Sequence, residues 1–273
     1  MRLSDLRGMP PTAAFGLGMI MFFAVVAVFA GQIAPHGQTE IVGMEFEPRG
    51  GDFVLGTDNL GRDMLSRLVW GARNSIGIAL ATTALAFTAG ALLGLLAAVL
   101  GGWTDQLLSR FVDLLISIPS LLFALLLLSI FGTSIAALVL VIAVLEMTRV
   151  FRLSRAVAMN VVVMEFVEVA RLRGEGLGWL IGREILPNVT APLVAEFGLR
   201  FCFVFLAISA LSFLGLGIQP PTADWGSMVR ENAALITFGD ITPLLPAGAI
   251  ALLTVSINFV VDWMLHRASG LQD

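Results

Sequence analysis

Five stretches of this chain contain no Asp, Glu, Lys or Arg, and this feature restricts the fold more than any other. They cover residues 8–39, 74–104, 114–145, 201–223 and 241–261. A helix that crosses a membrane needs about 20 mostly apolar residues, so each stretch is long enough for one crossing. Charged residues make up only 13% of the chain, whereas soluble domains carry about 25%. The sequence therefore predicts an all-α integral membrane protein.

A turn inside one stretch raises the predicted number of spans to six. Gly132-Thr133-Ser134 is a turn signal within residues 114–145, and the second of the two resulting spans continues past Glu146. The first apolar run is longer than the 7–15 residues of a signal-peptide core, so we expect it to be retained as a span. The six predicted spans of this single domain, residues 1–273, are 12–34, 75–101, 115–131, 134–153, 193–215 and 243–265.

The distribution of arginine predicts the orientation in the membrane. All sixteen basic residues are Arg. With the N-terminus inside, ten of them, among them Arg2 and Arg7, fall in inner segments, five fall in outer segments, and Arg200 lies within the fifth span. Basic residues favour the cytoplasmic side. We therefore expect both termini and residues 155–190 in the cytoplasm.

Several kinds of site are excluded by residues that the chain lacks. A P-loop uses a Lys to reach the phosphates of ATP, and this chain contains no Lys, so it has no standard ATPase site. Cys202 is the only cysteine, which excludes an internal disulfide and a cysteine zinc cluster. His36 and His266 lie on opposite predicted faces of the membrane and cannot share a metal ion. We expect no enzyme activity, no cofactor, no metal and no nucleic-acid partner.

Two acid–base pairs fall inside predicted spans, where charges are costly and often functional. Glu146 and Arg149 are three residues apart, and Glu196 and Arg200 are four apart, so each pair shares one helix face. Each pair could contact substrate or form a gate in a wet cavity, or it could neutralise itself near the inner interface. We prefer the second interpretation because both pairs lie near cytoplasmic ends, and we leave their roles open.

A polar segment that carries several Arg residues separates the fourth and fifth spans. Residues 165–173 can form a short helix, and Gly174 can end it in a left-handed conformation. We expect Ala170 to permit close approach of a partner, and Pro187 to start a new direction towards the fifth span. The candidate residues of this segment are Glu168, Ala170, Arg171, Gly174, Leu186 and Pro187.

Two further motifs lie in the predicted outer segments, residues 35–73 and 216–242. Glycine permits tight turns, and the mixture of Asp and Arg in the first motif predicts an internally paired turn at the membrane surface. The first motif contains Gly56, Thr57, Asp58, Gly61, Arg62, Asp63 and Arg67, and the second contains Gly215, Gly217, Pro220 and Trp225.

Taken in order along the chain, these motifs resemble those of ABC importer permeases of the dipeptide, oligopeptide and nickel group. Residues 55–67, LGTDNLGRDMLSR, are similar to a signature of that group, and the polar segment resembles its EAA loop, although Val169 and Glu184 depart from the usual pattern. The other matching elements are Arg152-x-x-Arg155, the 212–226 loop and residues 258–263. The relatively short outer arm, residues 35–73, suggests the C-type subunit.

The resemblance implies one half of an import pore in a bacterial inner membrane, surrounded by lipid. It implies a second homologous permease, two ATP-binding subunits that hold ATP and Mg²⁺, and a periplasmic or lipid-anchored binding protein. Residues 35–73 would be a periplasmic arm, residues 155–190 the ATPase-coupling loop, and the second outer motif a gate or loop. Peptides are the expected cargo, although nickel complexes, opines and sugars or glycosides also occur in the group. The main rival function is an ion-coupled secondary transporter.

Overall fold

The computed structural model describes residues 9–268, and helices form its framework. Within these residues no β-strand is formed, and extended backbone pairs only in three isolated bridges of residues 41–63. The α-helices are α1 (Pro11–Val28), α2 (Ala30–Ile33), α3 (Met64–Leu100), α4 (Gly102–Ile116), α5 (Ser120–Phe131), α6 (Ile135–Val162), α7 (Glu165–Leu172), α8 (Leu177–Trp179), α9 (Leu186–Phe213), α10 (Trp225–Asn232) and α11 (Leu244–Ala268). A π-helical segment, Leu180–Ile185, precedes α9, and a 3₁₀ segment, Ala233–Phe238, follows α10. The all-α prediction is confirmed for the described residues.

Several of these helices can cross a membrane. Four segments are long and apolar enough, and the bent pair of α4 and α5 makes a fifth if it acts as one crossing. The four segments are Pro11–Val28, Met64–Leu100, Leu177–Phe213 and Leu244–Arg267. Helix α6 has 28 residues but is not among these segments. Its first eighteen residues include three charged side chains, those of Glu146, Arg149 and Arg152. The protein is therefore a multi-pass membrane protein. Its orientation rests partly on Arg2 and Arg7, which lie outside the described residues, as does the C-terminal end.

The predicted third span, residues 115–131, is not one straight helix. Helix α4 ends at Ile116, and α5 leaves it at an angle of 85°. The break falls at Ser117, Ile118 and Pro119, because a proline disfavours the helical conformation of the residue before it. Helix α5 has 12 residues and is about 18 Å long, which is shorter than the hydrocarbon core of about 30 Å. A crossing at this position needs both arms of the bend.

The expected change of direction at Pro187 is wrong. Pro187 lies in the first turn of α9, and the helical segment runs without a sharp bend from Leu177 to Phe213. Proline removes one backbone donor from a helix. The π-helical turn Leu180–Ile185 comes directly before it, and such a wider turn accommodates an interrupted hydrogen-bond ladder. The fifth helix therefore begins well before the predicted residue 193.

Helix α3 packs closely along α6, and two glycines make this possible. A Cβ atom on Gly90 would lie 2.5 Å from the carbonyl oxygen of Met147, and one on Gly94 would lie 2.7 Å from that of Phe151. These distances are too short for any side chain, so the two backbones touch directly. The small-residue pattern of α3 thus serves packing within the chain.

Candidate coupling surface and arm cluster

Helix α7 and its C-terminal cap form the centre of the polar segment between α6 and α9. The cap contains the predicted left-handed glycine, since Gly174 has a φ of +80°. The Gly174 N–H donates to the carbonyl of Arg171 at 2.9 Å, and the Glu175 N–H donates to that of Ala170 at 3.2 Å. This pair of bonds is a Schellman motif. The direction in which the chain leaves α7 therefore depends on a backbone conformation at position 174 that a β-branched residue strongly disfavours.

The two faces of α7 differ in exposure. Val167 and Ala170 are fully buried, whereas Val169 is 52% exposed and Leu172 is 82% exposed. The expectation that Ala170 lies against a partner is therefore wrong, because its methyl group packs into the chain's own core, beside residues such as Ile185. Phe166, Val169 and Leu172 recur at three-residue spacing and share the exposed face. We call these three residues the apolar strip.

Helix α7 is attached to the ends of longer helices. Its buried face belongs to a core cluster that includes Leu95 of α3 and Val189 of α9. Arg171 adds a polar link, because its guanidinium donates to the carbonyl of Val99 at 3.2 Å near the end of α3. Glu168 is exposed on the first part of the helix. The structure places Leu186 and Pro187, by contrast, on the exposed side of the start of α9.

The first outer motif contributes to a buried ionic group, which we call the arm cluster: Asp58, Arg62, Arg67 and Glu231. The Nε of Arg62 donates to Asp58 Oδ2 at 2.7 Å, and the Nε of Arg67 lies 3.2 Å from the same oxygen. Both guanidinium groups also lie near Glu231, at 3.3 and 3.1 Å. Two acids and two bases are thus matched inside the protein, where an unmatched charge would be costly.

The remaining residues of this motif shape the backbone of the arm. Gly56 and Gly61 have φ values of +76° and +71°. The Thr57 hydroxyl donates to the carbonyl of Met44 at 2.6 Å. Asp63 caps the start of α3, because its carboxylate accepts from the Ser66 N–H at 3.0 Å. The predicted internally paired turn is therefore present, although one of its partners, Glu231, comes from the other end of the chain.

The second outer motif packs against the start of α3. The Trp225 ring is buried, and its Nε1 donates to the carbonyl of Leu68 at 2.9 Å. Gly71 gives this ring its space, since a Cβ there would lie 2.7 Å from it. Gly215 has a φ of +88°. The Trp225 and Leu68 contact joins the two outer motifs into one packed unit.

Three further features complete this second motif. A Cβ on Gly217 would collide with Ser212, and a cis peptide bond joins Pro220 to Pro221. Asp224 caps α10 and accepts a hydrogen bond from the Ser75 hydroxyl at 2.8 Å. Burial raises the pKa of the Asp224 carboxyl, and its hydrogen bonds oppose that rise. The loop is thus held by side chains of α3, while its gating role stays a prediction.

A buried ionic triad connects α6 to α9. Arg200 donates from Nη1 to Glu146 at 2.7 Å and from Nε to Glu196 at 2.8 Å. The predicted pair of Glu196 and Arg200 is confirmed. The predicted pair of Glu146 and Arg149 is wrong, because the neighbouring helix supplies Arg200 instead. Arg149 is exposed and lies over the Phe203 ring, 6.0 Å from its centroid.

Sequence reasoning missed the partners that lie far along the chain. Glu231 is 164 residues from Arg67, and no local spacing indicates that pairing. Gln38 was also missed: its side-chain oxygen accepts from Asn74 at 2.9 Å and from the Ala223 N–H at 3.2 Å. A single polar side chain in a loop carries no signal of such a role.

Comparison with known proteins agrees with this architecture. A family model described as the inner membrane component of binding-protein-dependent transport systems matches residues 90–268. The chain is 36% identical over 254 residues to the di/tripeptide transport system permease protein DppC of Pseudomonas aeruginosa, covering 90% of this chain and 84% of that protein.

Two further relatives have similar descriptions. The dipeptide transport system permease protein DppC of Alkalihalophilus pseudofirmus is 32% identical over 251 residues, covering 92% of this chain and 83% of that protein. The peptide transport system permease protein SapC of Escherichia coli O6:H1 is 33% identical over 258 residues, covering 92% and 87%. The similarity therefore extends over most of each protein.

Proposed function

Because the chain belongs to the family of binding-protein-dependent transport inner membrane components, and is an ABC importer permease of the dipeptide and oligopeptide group, we propose that it forms one half of a membrane pathway for peptides. Three relatives are named as peptide or dipeptide permeases, which supports peptides as cargo. An ion-coupled secondary transporter is not favoured, since these relatives are subunits of ABC importers.

The proposed assembly contains a second, homologous permease and two ATP-binding subunits, together with a periplasmic or lipid-anchored binding protein. ATP and Mg²⁺ bind in the partner subunits and not in this chain, which lacks the lysine of a P-loop. The permease lies in the bacterial inner membrane with six spans and both termini in the cytoplasm. The arm cluster and the Trp225 loop then face the periplasm, where the binding protein docks.

The apolar strip is the observation that carries the coupling proposal. Phe166, Val169 and Leu172 are exposed on a helix whose other face is fully buried. A contiguous apolar patch rimmed by polar residues is typical of a contact site for a protein or a membrane, and the charged residues beside this strip favour a protein partner. The ATP-binding subunit occupies this strip, and the exposed carboxylate of Glu168 lies next to it. Near the start of the helix, that charge is also favourable by about 0.3–1 kcal/mol.

Motion of the ATPase reaches the pathway through the buried face of α7. Val167 and Ala170 pack in one cluster with the inner ends of α3 and α9, and Arg171 ties the helix to Val99. Packed interiors transmit strain because they have few voids. A displacement of α7 therefore moves both long helices together.

Two variants test this role in the complete importer. Gly174→Val changes the exit angle of α7, because a β-branched residue is strongly disfavoured at a φ of +80°. Glu168→Arg reverses the charge beside the apolar strip. Both should reach the membrane at normal levels and lose substrate-stimulated ATP hydrolysis. Co-purification of the ATPase and its hydrolysis rate are the measurements.

Gly77→Val is the matched control, because it introduces the same side chain outside the coupling loop, at a position with open space and no positive φ. It should retain both the ATPase and its stimulation. Full transport with normal stimulation in both test variants would show that α7 is not the coupling element.

A further inference from the structure

Helix α6 carries three arginines at intervals of three residues, and α4 supplies acids to two of them. Arg155 forms a two-pronged ion pair with Asp105, and Arg152 donates to Asp113 at 2.6 Å. Both arginines are therefore neutralised by the neighbouring helix.

Arg149 continues this series towards the middle of the membrane, but no acid of residues 9–268 is paired with it. Helix α4 ends at Ile116, and a non-helical turn of three residues separates it from α5. Among the described residues Arg149 forms no ion pair or hydrogen bond, and its recorded contact is with the Phe203 ring. It lies 14 residues into α6, about 21 Å from the start of that helix. A cation at this depth is costly, and such residues commonly mark a substrate pathway.

A cavity of about 330 Å³ lies at this break. Arg149 and Thr148 line it from α6, while Pro119, Ser120 and Leu121 line it from the start of α5. Among the described residues that line it, Arg149 is the only charged one. The volume is at the lower end of ligand pockets, which hold about 300–1,000 Å³. It is suited to one end of a solute.

We propose that Arg149 binds a carboxylate of the transported solute in this cavity. This inference rests on the proposed function. In a peptide cargo, the carboxylate bound by Arg149 is the C-terminal one. A guanidinium binds a carboxylate through two parallel hydrogen bonds, and no acid in the described part of the chain would have to be displaced from this one. Arg200 is a poor alternative, because Glu146 and Glu196 already occupy it.

A lipid phosphate is the other source of anionic oxygen at this position. Arginine near the inner third of a membrane can extend its long side chain to the headgroups. The cavity favours the solute, because its lining includes the first turn of α5 and Thr148, which places Arg149 beside a partly open space between helices.

The test measures equilibrium binding of radiolabelled trialanine and of trialaninamide to the complete importer in nanodiscs without the binding protein. The wild type should bind the acid at least about tenfold more tightly than the amide, since a hydrogen bond to a charged group has that effect. Arg149→Gln should bring the ratio close to one. Arg149→Lys should keep part of the preference for the acid, because lysine retains the positive charge but lacks the paired donors of a planar guanidinium. Arg152→Gln, whose arginine is already paired, should leave the ratio unchanged.

Equal binding of acid and amide by the wild type, or binding of neither, would overturn the proposal. An Arg149→Gln importer that keeps the preference for the acid would also overturn it. The same holds if the only effect of Arg149→Gln is the loss of a bound phosphatidylglycerol in native mass spectrometry, because Arg149 would then bind a lipid. Peptide transport with the binding protein present is a separate measurement. Its absence in the wild type refutes the peptide cargo, whereas transport without an acid preference in binding refutes only the role of Arg149.

Discussion

Removal of Arg200 should destabilise the protein more than any other single loss of charge in the membrane region. Arg200→Met would leave Glu146 and Glu196 only 6% and 9% exposed without the hydrogen bonds of 2.7 and 2.8 Å that now satisfy them. Breaking a buried ion pair by deleting one partner costs about 3–5 kcal/mol. We expect a loss of that size, with a lower thermal midpoint and less folded protein after heating.

Two further variants test whether unpaired carboxylates cause this loss of stability. Glu146→Gln should cost less, about 1.5–3 kcal/mol, because one charged hydrogen bond is weakened while Arg200 keeps Glu196. The triple variant Arg200→Met, Glu146→Gln, Glu196→Gln should recover much of the stability, since no uncompensated charge remains. Arg149→Met serves as control, because Arg149 is exposed and unpaired among the described residues, so its removal leaves no carboxylate unmatched and should not lower the unfolding temperature.

Gel filtration of heated samples in detergent, detected by fluorescence, reports the folded fraction for each variant. Unfolding of Arg200→Met at the wild-type temperature would show that the triad does not stabilise the protein. A triple variant no more stable than Arg200→Met alone would show that the loss comes from packing and not from unpaired carboxylates.

Three further outcomes are expected. Gly90→Ala should lower the folded yield and cost about 1–3 kcal/mol, because its Cβ would meet a backbone oxygen of α6 at 2.5 Å, while Gly77→Ala, in open space on the same helix, should not. Hydrogen bonds from Thr242 lower the pKa of Asp240 in the folded protein. The contribution of Asp240 to stability is therefore present above its unfolded pKa of about 3.9 and is lost as the pH falls through the lower folded value. Asp240→Asn should therefore flatten the acid side of a thermal-stability profile, and an unchanged profile would contradict this assignment. In a cysteine-free background, an impermeant thiol reagent outside cells should label Asp52→Cys but not Glu175→Cys, and labelling of the latter would reverse the predicted topology.

Local patterns in the sequence determined the features that depend on near neighbours. The charge-free stretches predicted a helical membrane protein, because a buried backbone in lipid must satisfy its own hydrogen bonds. The position of Gly174 predicted the left-handed cap, since only the conformation of a few adjacent residues decides it. The i, i+4 spacing likewise predicted the pair of Glu196 and Arg200. The order of the motifs along the chain was sufficient to indicate the family.

Tertiary structure decided the features that depend on which helices are neighbours. Glu146 pairs with Arg200, 54 residues away, although Arg149 is closer in sequence. Ala170 faces the core because α7 packs against α6 and the π-helical segment Leu180–Ile185. Arg149 has no acid partner among the described residues, because α4, which supplies acids to Arg152 and Arg155, ends at Ile116. Spacing along one helix shows which residues share a face, but it cannot show what that face meets. That is decided only when the long helices pack, because packing selects one set of distant partners from many that the sequence permits.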